Sequence, residues 1–261
     1  MTGFNWPKFN WRGTWTIYTW ELARTWRTLF ESILAPVLTT SLYFVVFGSA
    51  IGGQIRMAGD VPYGAFIVPG LLLMTVLNES TGNASFGIYM PRFTGAIYEL
   101  LSAPAGVAET MIGYIGAAAT KSIILAAIIV ITARAFVPFH IVHPFLAVGY
   151  VVLIAVAFSM LGFILGCWAD GFEKLQVVPM LVLTPLTFLG GTFYSLSMLA
   201  QPWRSVAMAN PVVYLVNGLR WTFYGHSDVD IRVSAALTLG FLLVCTGVIA
   251  AIFRTGYRLR S

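Results

Sequence analysis

Residues 144–168 read PFLAVGYVVLIAVAFSMLGFILGCW, an apolar run without a single charged side chain. At about 1.5 Å of rise per residue such a helix crosses the roughly 30 Å hydrocarbon core of a bilayer, where each backbone polar group must be satisfied within its own segment. Three stretches before it, 33–51, 63–83 and 111–133, and two after it, 175–194 and 233–253, meet the same demand. The expected fold is therefore an all-α membrane protein of six transmembrane helices. Composition agrees: of 261 residues 58% are hydrophobic and only 10% charged, a surface that lipid solvates and water does not.

The formal charge of +5 from fifteen Lys and Arg reads as topology and contact with anionic headgroups, with no nucleic acid as partner. Six spans put both termini on one side. Lys8, Arg12, Arg24 and Arg27 before the first span match Arg254, Arg258 and Arg260 after the last, and nine loop cations on that side face five on the other. The positive-inside rule makes that side the cytoplasm, and the multi-pass chain is expected in a bacterial cytoplasmic (inner) membrane. Residues 1–12 lack a short apolar core followed by small residues, so the first span is expected to do the targeting. Cys167 and Cys245 sit in apolar runs and read as small hydrophobes.

Residues 1–32 form a cytoplasmic N-terminus, 33–253 the six-span domain and 254–261 a basic cytoplasmic tail. Within the first part, Trp15, Tyr18, Leu22, Trp26 and Leu29 recur at helical spacing opposite Arg24, Arg27, Thr28 and Glu31. This predicts an amphipathic interface helix, either a lipid-surface anchor or a docking element. Pro36 falls in the first turns of span one, where a lost backbone donor costs little.

Two connections are too long to be mere turns. The inner one, 84–110, holds Met90-Pro91-Arg92-Phe93-Thr94-Gly95-Ala96-Ile97-Tyr98-Glu99-Leu100-Leu101-Ser102-Ala103-Pro104. A short helix over 94–101, bracketed by Pro91 and Pro104, would lie along the membrane surface with Ile97, Leu100 and Leu101 as one apolar face and Glu99 and Arg92 exposed. The outer one, 195–232, follows Gly190-Gly191 and contains Pro202-Trp203, Asn210-Pro211-Val212-Val213-Tyr214 and Arg220. Gly and Pro interrupt helix there, and the two pieces that follow are too short to cross, so a re-entrant hairpin over about 195–224 is expected. Asn210 before Pro211 is also a plain N-cap. Arg220 needs a partner or water near hydrocarbon, with Asp228 and Asp230 within reach.

These two segments resemble those of the ABC-2 membrane family, the permeases of type-2 ABC exporters. Arg92, Glu99, Leu100, Leu101 and Pro104 fit that family's coupling helix, here about 92–104 with Ile97 on its apolar face. Residues 15–30, with Glu21, Arg24 and Arg27, look like its interface helix. Gly190, Gly191, Pro202, Trp203, Asn210, Pro211, Tyr214 and Arg220 follow the order of its outer gate. The resemblance implies a homodimer working with two ATP-binding cassette subunits that dock on the coupling helix. It implies export of a drug, lipid or glycan-type substrate through a path between protomers.

Glu79, beside Asn78 and Asn83 in span two, and Lys121 in span three lie within hydrocarbon around the same inner turn. They are expected to pair or to share a wet cavity, unless Lys121 snorkels to the interface. Gly162 and Gly166 give span four a small-residue packing face, and Pro69, Pro179 and Pro185 predict kinks. The chain contains no Gly-x-x-x-x-Gly-Lys-Ser/Thr loop and no motif of an enzyme site, so it is expected to bind no cofactor. ATP and Mg would sit on a separate polypeptide. The competing functions are an ATP-independent channel or secondary transporter and a permease-like signalling subunit; absence of an inverted repeat weighs against the secondary transporter.

Overall fold

The computed structural model describes residues 9–27, 29–51, 61–98 and 106–255, and among them the regular structure is all helical, with no strand. Helix α1 (Trp11–Arg27) leads to α2 (Leu29–Tyr43), which runs on as a π-helical stretch over Phe44–Ile51. Then come α3 (Tyr63–Thr94), α4 (Val107–Phe136), α5 (Pro144–Trp168) and α6 (Phe172–Leu189). Two short helices, α7 (Gln201–Met208) and α8 (Pro211–Tyr224), precede α9 (Ile231–Thr255). Among the described residues five helices are long and apolar enough to cross a membrane, and the bent pair α1–α2 makes a sixth if it counts as one span.

The central helix is α3, packed against α4, α5 and α8. Contact with α5 is made by removing side chains: a Cβ on Gly162 would collide with the Thr81 carbonyl, and one on Gly166 with that of Ser85. Small residues at a four-residue spacing let two backbones approach, the main route to helix association where lipid is as apolar as the side chains. Outer helices show the opposite pattern. Along α9 the buried residues Ser234, Thr238, Cys245, Ile249 and Ile252 form one stripe, while Leu239, Leu243 and Val244 point away from the bundle. Tyr150 on α5 and Thr238 on α9 share a hydroxyl hydrogen bond of 3.0 Å.

Helix α1 and the last turns of α9 meet at one end of the bundle, where Ile17 of α1 and Ile249 and Ile252 of α9 join one apolar cluster with Ile88, Tyr114 and Phe163. This is called the terminal end below, and the opposite one the hairpin end.

Helix α1 packs on α4 through Thr14, Ile17, Glu21 and Thr25, while Trp11, Trp15, Trp20 and Trp26 face outward. The compact side fits because Ile17 and Tyr18 rest on Gly113 and Gly116 of α4, and Tyr18 shares a 3.0 Å hydrogen bond with Thr120. Three local expectations change. Pro36 is interior to α2, because that helix begins at Leu29. Pro91 lies inside the last turns of α3 and does not break it; the helix ends at Gly95, whose φ of 80° is the left-handed cap that glycine tolerates. Arg92 is not left free at the surface but is turned to the end of α5. The three prolines expected to kink spans mark irregularities: Pro69 follows a turn at Ile67, Pro179 opens a π-helical stretch to Leu183, and Pro185 stands in the helical turn after it.

Candidate functional site

Mid-length on α3, Glu79 and Asn83 share a face because they are four residues apart, and Lys121 of α4 completes a closed triangle with them. Lys121 Nζ donates to Asn83 Oδ1 at 2.7 Å and stands 3.4 Å from Glu79 Oε2, while Asn83 Nδ2 donates to that same Oε2 at 3.0 Å. The lysine side chain is 7% exposed and the glutamate 23%, so the pair is protein-held with one open side. That side is a cavity of about 350 Å³ bounded by Ser32 of α2, Phe86 of α3 and Gln176 and Pro179 of α6. A second cavity of about 220 Å³ continues from Asn78 and Glu79 past Thr39, Thr40 and Thr75 to Tyr43. Together they form a groove between α2 and α3, polar at the triad where α6 closes it and mainly apolar toward Tyr43. A charge inside a membrane span is retained where it is paired or faces water, and this triad has both a partner and an opening.

The hairpin end is built around Arg220. Its helix α8 covers roughly 21 Å at 1.5 Å per residue, short of a bilayer core. Yet Val213, Val216, Asn217 and Leu219 are fully buried on it. Nη2 of Arg220 donates to the Gly191 carbonyl at 2.7 Å, and the guanidinium carbon lies 3.8 Å from the centre of the Phe66 ring. Gly191 supplies that carbonyl from a turn with φ of 81°, a conformation costing a Cβ-bearing residue roughly 1–2 kcal/mol. Asp228 is the second node. Its Oδ2 lies 4.0 Å from Arg220 Nη1 and accepts Leu196 N at 2.9 Å, its Oδ1 accepts Ser195 Oγ at 2.7 Å, and its own N–H goes to Asn217 Oδ1 at 3.0 Å. Asp230 instead caps α9, accepting Arg232 N at 2.8 Å.

Asn210 does more than cap. Its Oδ1 accepts Val212 N at 2.9 Å, and its Nδ2 donates to Leu186 O at 2.6 Å, tying the start of α8 to the end of α6. Tyr214 OH donates to Met208 O at 2.9 Å, joining α8 to α7. At the far end of α8, the N–H groups of Val142 and His143 donate to Phe223 O and Thr222 O at 2.8 and 3.0 Å. Burial pushes the phenols of Tyr194 and Tyr224 above their ordinary range, so both stay donors, to Leu189 O at 2.9 Å and Ala65 O at 2.5 Å. Gly190, Gly191, Asn210, Pro211, Tyr214 and Arg220 thus fall in one assembly. Pro202 and Trp203 lie on the exposed face of α7, outside it.

At the terminal end the expected docking residues divide. Arg27 is exposed. Glu21 is buried against Gly87, with its Oε2 accepting from both Nε and Nη2 of Arg24 at 3.0 and 2.7 Å. Arg92 Nη1 donates to Gly166 O at 2.6 Å and reaches Ala169 O at 3.4 Å, serving the carbonyls that α5 leaves unsatisfied at its C-terminus. Ile97 is buried, and Glu99, Leu100, Leu101 and Pro104 lie outside the described residues. Sequence reasoning missed Asn83 as the bridge within the triad and Asp228 as the hub of the hairpin. The i, i+4 spacing of Glu79 and Asn83 was the available signal for the first.

Membrane-length helices around a buried ion triad, closed at one end by two short helices, define a multi-pass helical membrane protein with a polar interior. The model of the ABC-2 type transporter family matches residues 12–224, and the chain belongs to that family as a membrane permease. The inner membrane transport permease YadH of Escherichia coli K12 is 34% identical over 247 residues, 94% of this chain and 96% of the relative. Nodulation protein J of Rhizobium leguminosarum bv. viciae is 23% identical over 252 residues, 94% of each chain.

Proposed function

We propose that this chain is the transmembrane half of an ATP-driven exporter that moves amphiphilic or glycan-type molecules out of the cytoplasm or inner leaflet. The observation that carries the reading is the groove whose polar end holds Glu79, Asn83 and Lys121 and whose other end is mainly apolar, an interior suited to a solute with polar groups and an apolar part. Its open side lies between α2 and α6, where Met180, Leu181 and Leu38 are exposed. A second copy placed on that face would close the groove into a path between protomers. The inner-membrane name of the Escherichia coli relative supports an inner-membrane location, and the basic residues near both termini support a cytoplasmic terminal end.

In this reading ATP and Mg belong to a separate ATP-binding subunit docked at the terminal end on 92–104 and α1. Packing there would carry a push onward. Ile97 shares its cluster with Ile17 of α1 and Ile249 of α9, and Glu109 Oε1 of α4 accepts Asn10 N at 3.0 Å just before α1. At the other end the Arg220–Asp228 assembly would act as a re-entrant external gate. The test is to co-express the chain with candidate ATP-binding subunits, reconstitute the complex in nanodiscs and liposomes, and follow ATPase activity and substrate efflux. Stable association with ATP-dependent efflux is expected. Failure to bind any such subunit defeats the exporter, and ATPase stimulation without efflux makes the chain a signalling subunit.

A further inference from the structure

On the side of α3 away from the Glu79 groove, a wholly apolar cavity of about 330 Å³ opens between α4 and α5. Its walls are two facing stripes at helical spacing: Ile123, Ala127, Val130 and Ile131 on α4, and Pro144, Ala147, Val148 and Val151 on α5. Leu72 of α3 and Phe223 of α8 also line it, and it shares no lining residue with the two cavities around Glu79.

The next residue along the α4 stripe, three after Ile131 and four after Val130, is Arg134. It is exposed near the end of α4, its guanidinium carbon 5.1 Å from the centre of the Phe139 ring, and it makes no ion pair with the described residues. The connection that follows, 137–143, contains no acid. From Arg134 back to Ile123 a helix rises roughly 16 Å at 1.5 Å per residue, close to half of the roughly 30 Å hydrocarbon core. The groove thus has the length of one leaflet, a cation at headgroup depth and apolar walls below it.

We propose that this groove holds one acyl chain of an anionic membrane phospholipid whose phosphate sits on Arg134, and that the bound chain steadies α8 by packing on Phe223. Phe223 is suited to this because its carbonyl accepts the Val142 N–H, so the groove's lining and the hairpin share a backbone connection. The proposal requires only that the chain spans a bilayer; it does not depend on export or on an ATPase.

Native mass spectrometry of the detergent-purified chain titrated with phosphatidylglycerol or phosphatidylcholine tests it. Wild type is expected to retain phosphatidylglycerol at least fivefold more tightly. Arg134→Gln should erase that preference while binding of phosphatidylcholine persists. Ala127→Trp and, on the opposite wall, Val148→Trp should each lower retention of both lipids about tenfold. Only variants that keep the wild-type helical circular dichroism and elution volume are scored, and Val148, being exposed, tolerates replacement without core strain. Equal retention of the two lipids by wild type, or an unchanged preference in Arg134→Gln, overturns the headgroup assignment. Wild-type retention in either folded tryptophan variant overturns the groove.

Discussion

Arg220 and Asp228 face each other at 4.0 Å without forming a tight pair, because each is already committed to backbone: Arg220 to the Gly191 carbonyl, Asp228 to the N–H of Leu196. The two charges therefore clamp the turn after α6 onto α8 from both sides. Arg220→Met leaves the Gly191 carbonyl without this donor and Asp228 without its counter-charge. A loss of about 2–4 kcal/mol is expected, read as a lowered unfolding temperature in detergent. Asp228→Asn keeps a carbonyl acceptor and should cost less than half as much.

The triad on α3 and α4 should behave as a unit. Glu79→Gln leaves Lys121 charged and buried, and Lys121→Met leaves Glu79 charged beside an apolar side chain. Each is expected to destabilise by about 1–3 kcal/mol, discounted from a fully buried pair because Glu79 retains an open side. The double variant should lose at least about 1 kcal/mol less than the sum of the singles. A double-mutant cycle on thermal unfolding decides, and strict additivity would refute the coupling.

Gly166→Leu should be the most damaging of the small-residue changes. Its side chain would meet the Ser85 carbonyl and the Ile88 side chain, and neither can withdraw without moving α3. The expected result is separation of α3 from α5 and loss of monodisperse protein on size exclusion, against a typical overpacking cost of about 1–3 kcal/mol where neighbours can adjust. Gly149→Leu on the same helix has open space around it and should leave elution unchanged.

Arg92→Gln separates two roles for one residue. As the group serving the carbonyls of Gly166 and Ala169, its loss should lower the unfolding temperature, by the equivalent of about 1–2 kcal/mol, in the isolated chain. An unchanged melting profile together with weakened binding of an ATP-binding subunit would assign it to the docking surface instead.

How far these arrangements were legible in the sequence depends on the kind of force involved. Spans such as Pro144–Trp168 announce themselves because the bilayer demands length and apolarity in one unbroken run, and both are properties of the linear chain. Arg220 announced itself as a buried charge in need of a partner, and the nearby acids narrowed the choice to Asp228 and Asp230. Selecting Asp228 required the turn at Gly191 and the cap at Asp230, which are three-dimensional. The tryptophan stripe of α1 was legible as a side that avoids water, but the side that docks on the bundle was not, because Gly113 and Gly116 of α4 decide it and the linear chain does not show that they lie opposite α1. Pro91 misled, since a proline near the end of a helix removes one hydrogen bond without ending it.

The central position of α3 has a consequence for how the chain is made. This helix is among the least apolar of the spans yet the most buried, and it carries Asn78, Glu79 and Asn83 in its middle. Alone in lipid it would hold a carboxylate with no cation beside it, so it is poorly suited to leave the insertion machinery before α4 delivers Lys121. The two helices are best understood as a hairpin that partitions together. A variant lacking the lysine should then yield less correctly inserted chain, a loss set during synthesis and separate from the stability of the molecules that do fold.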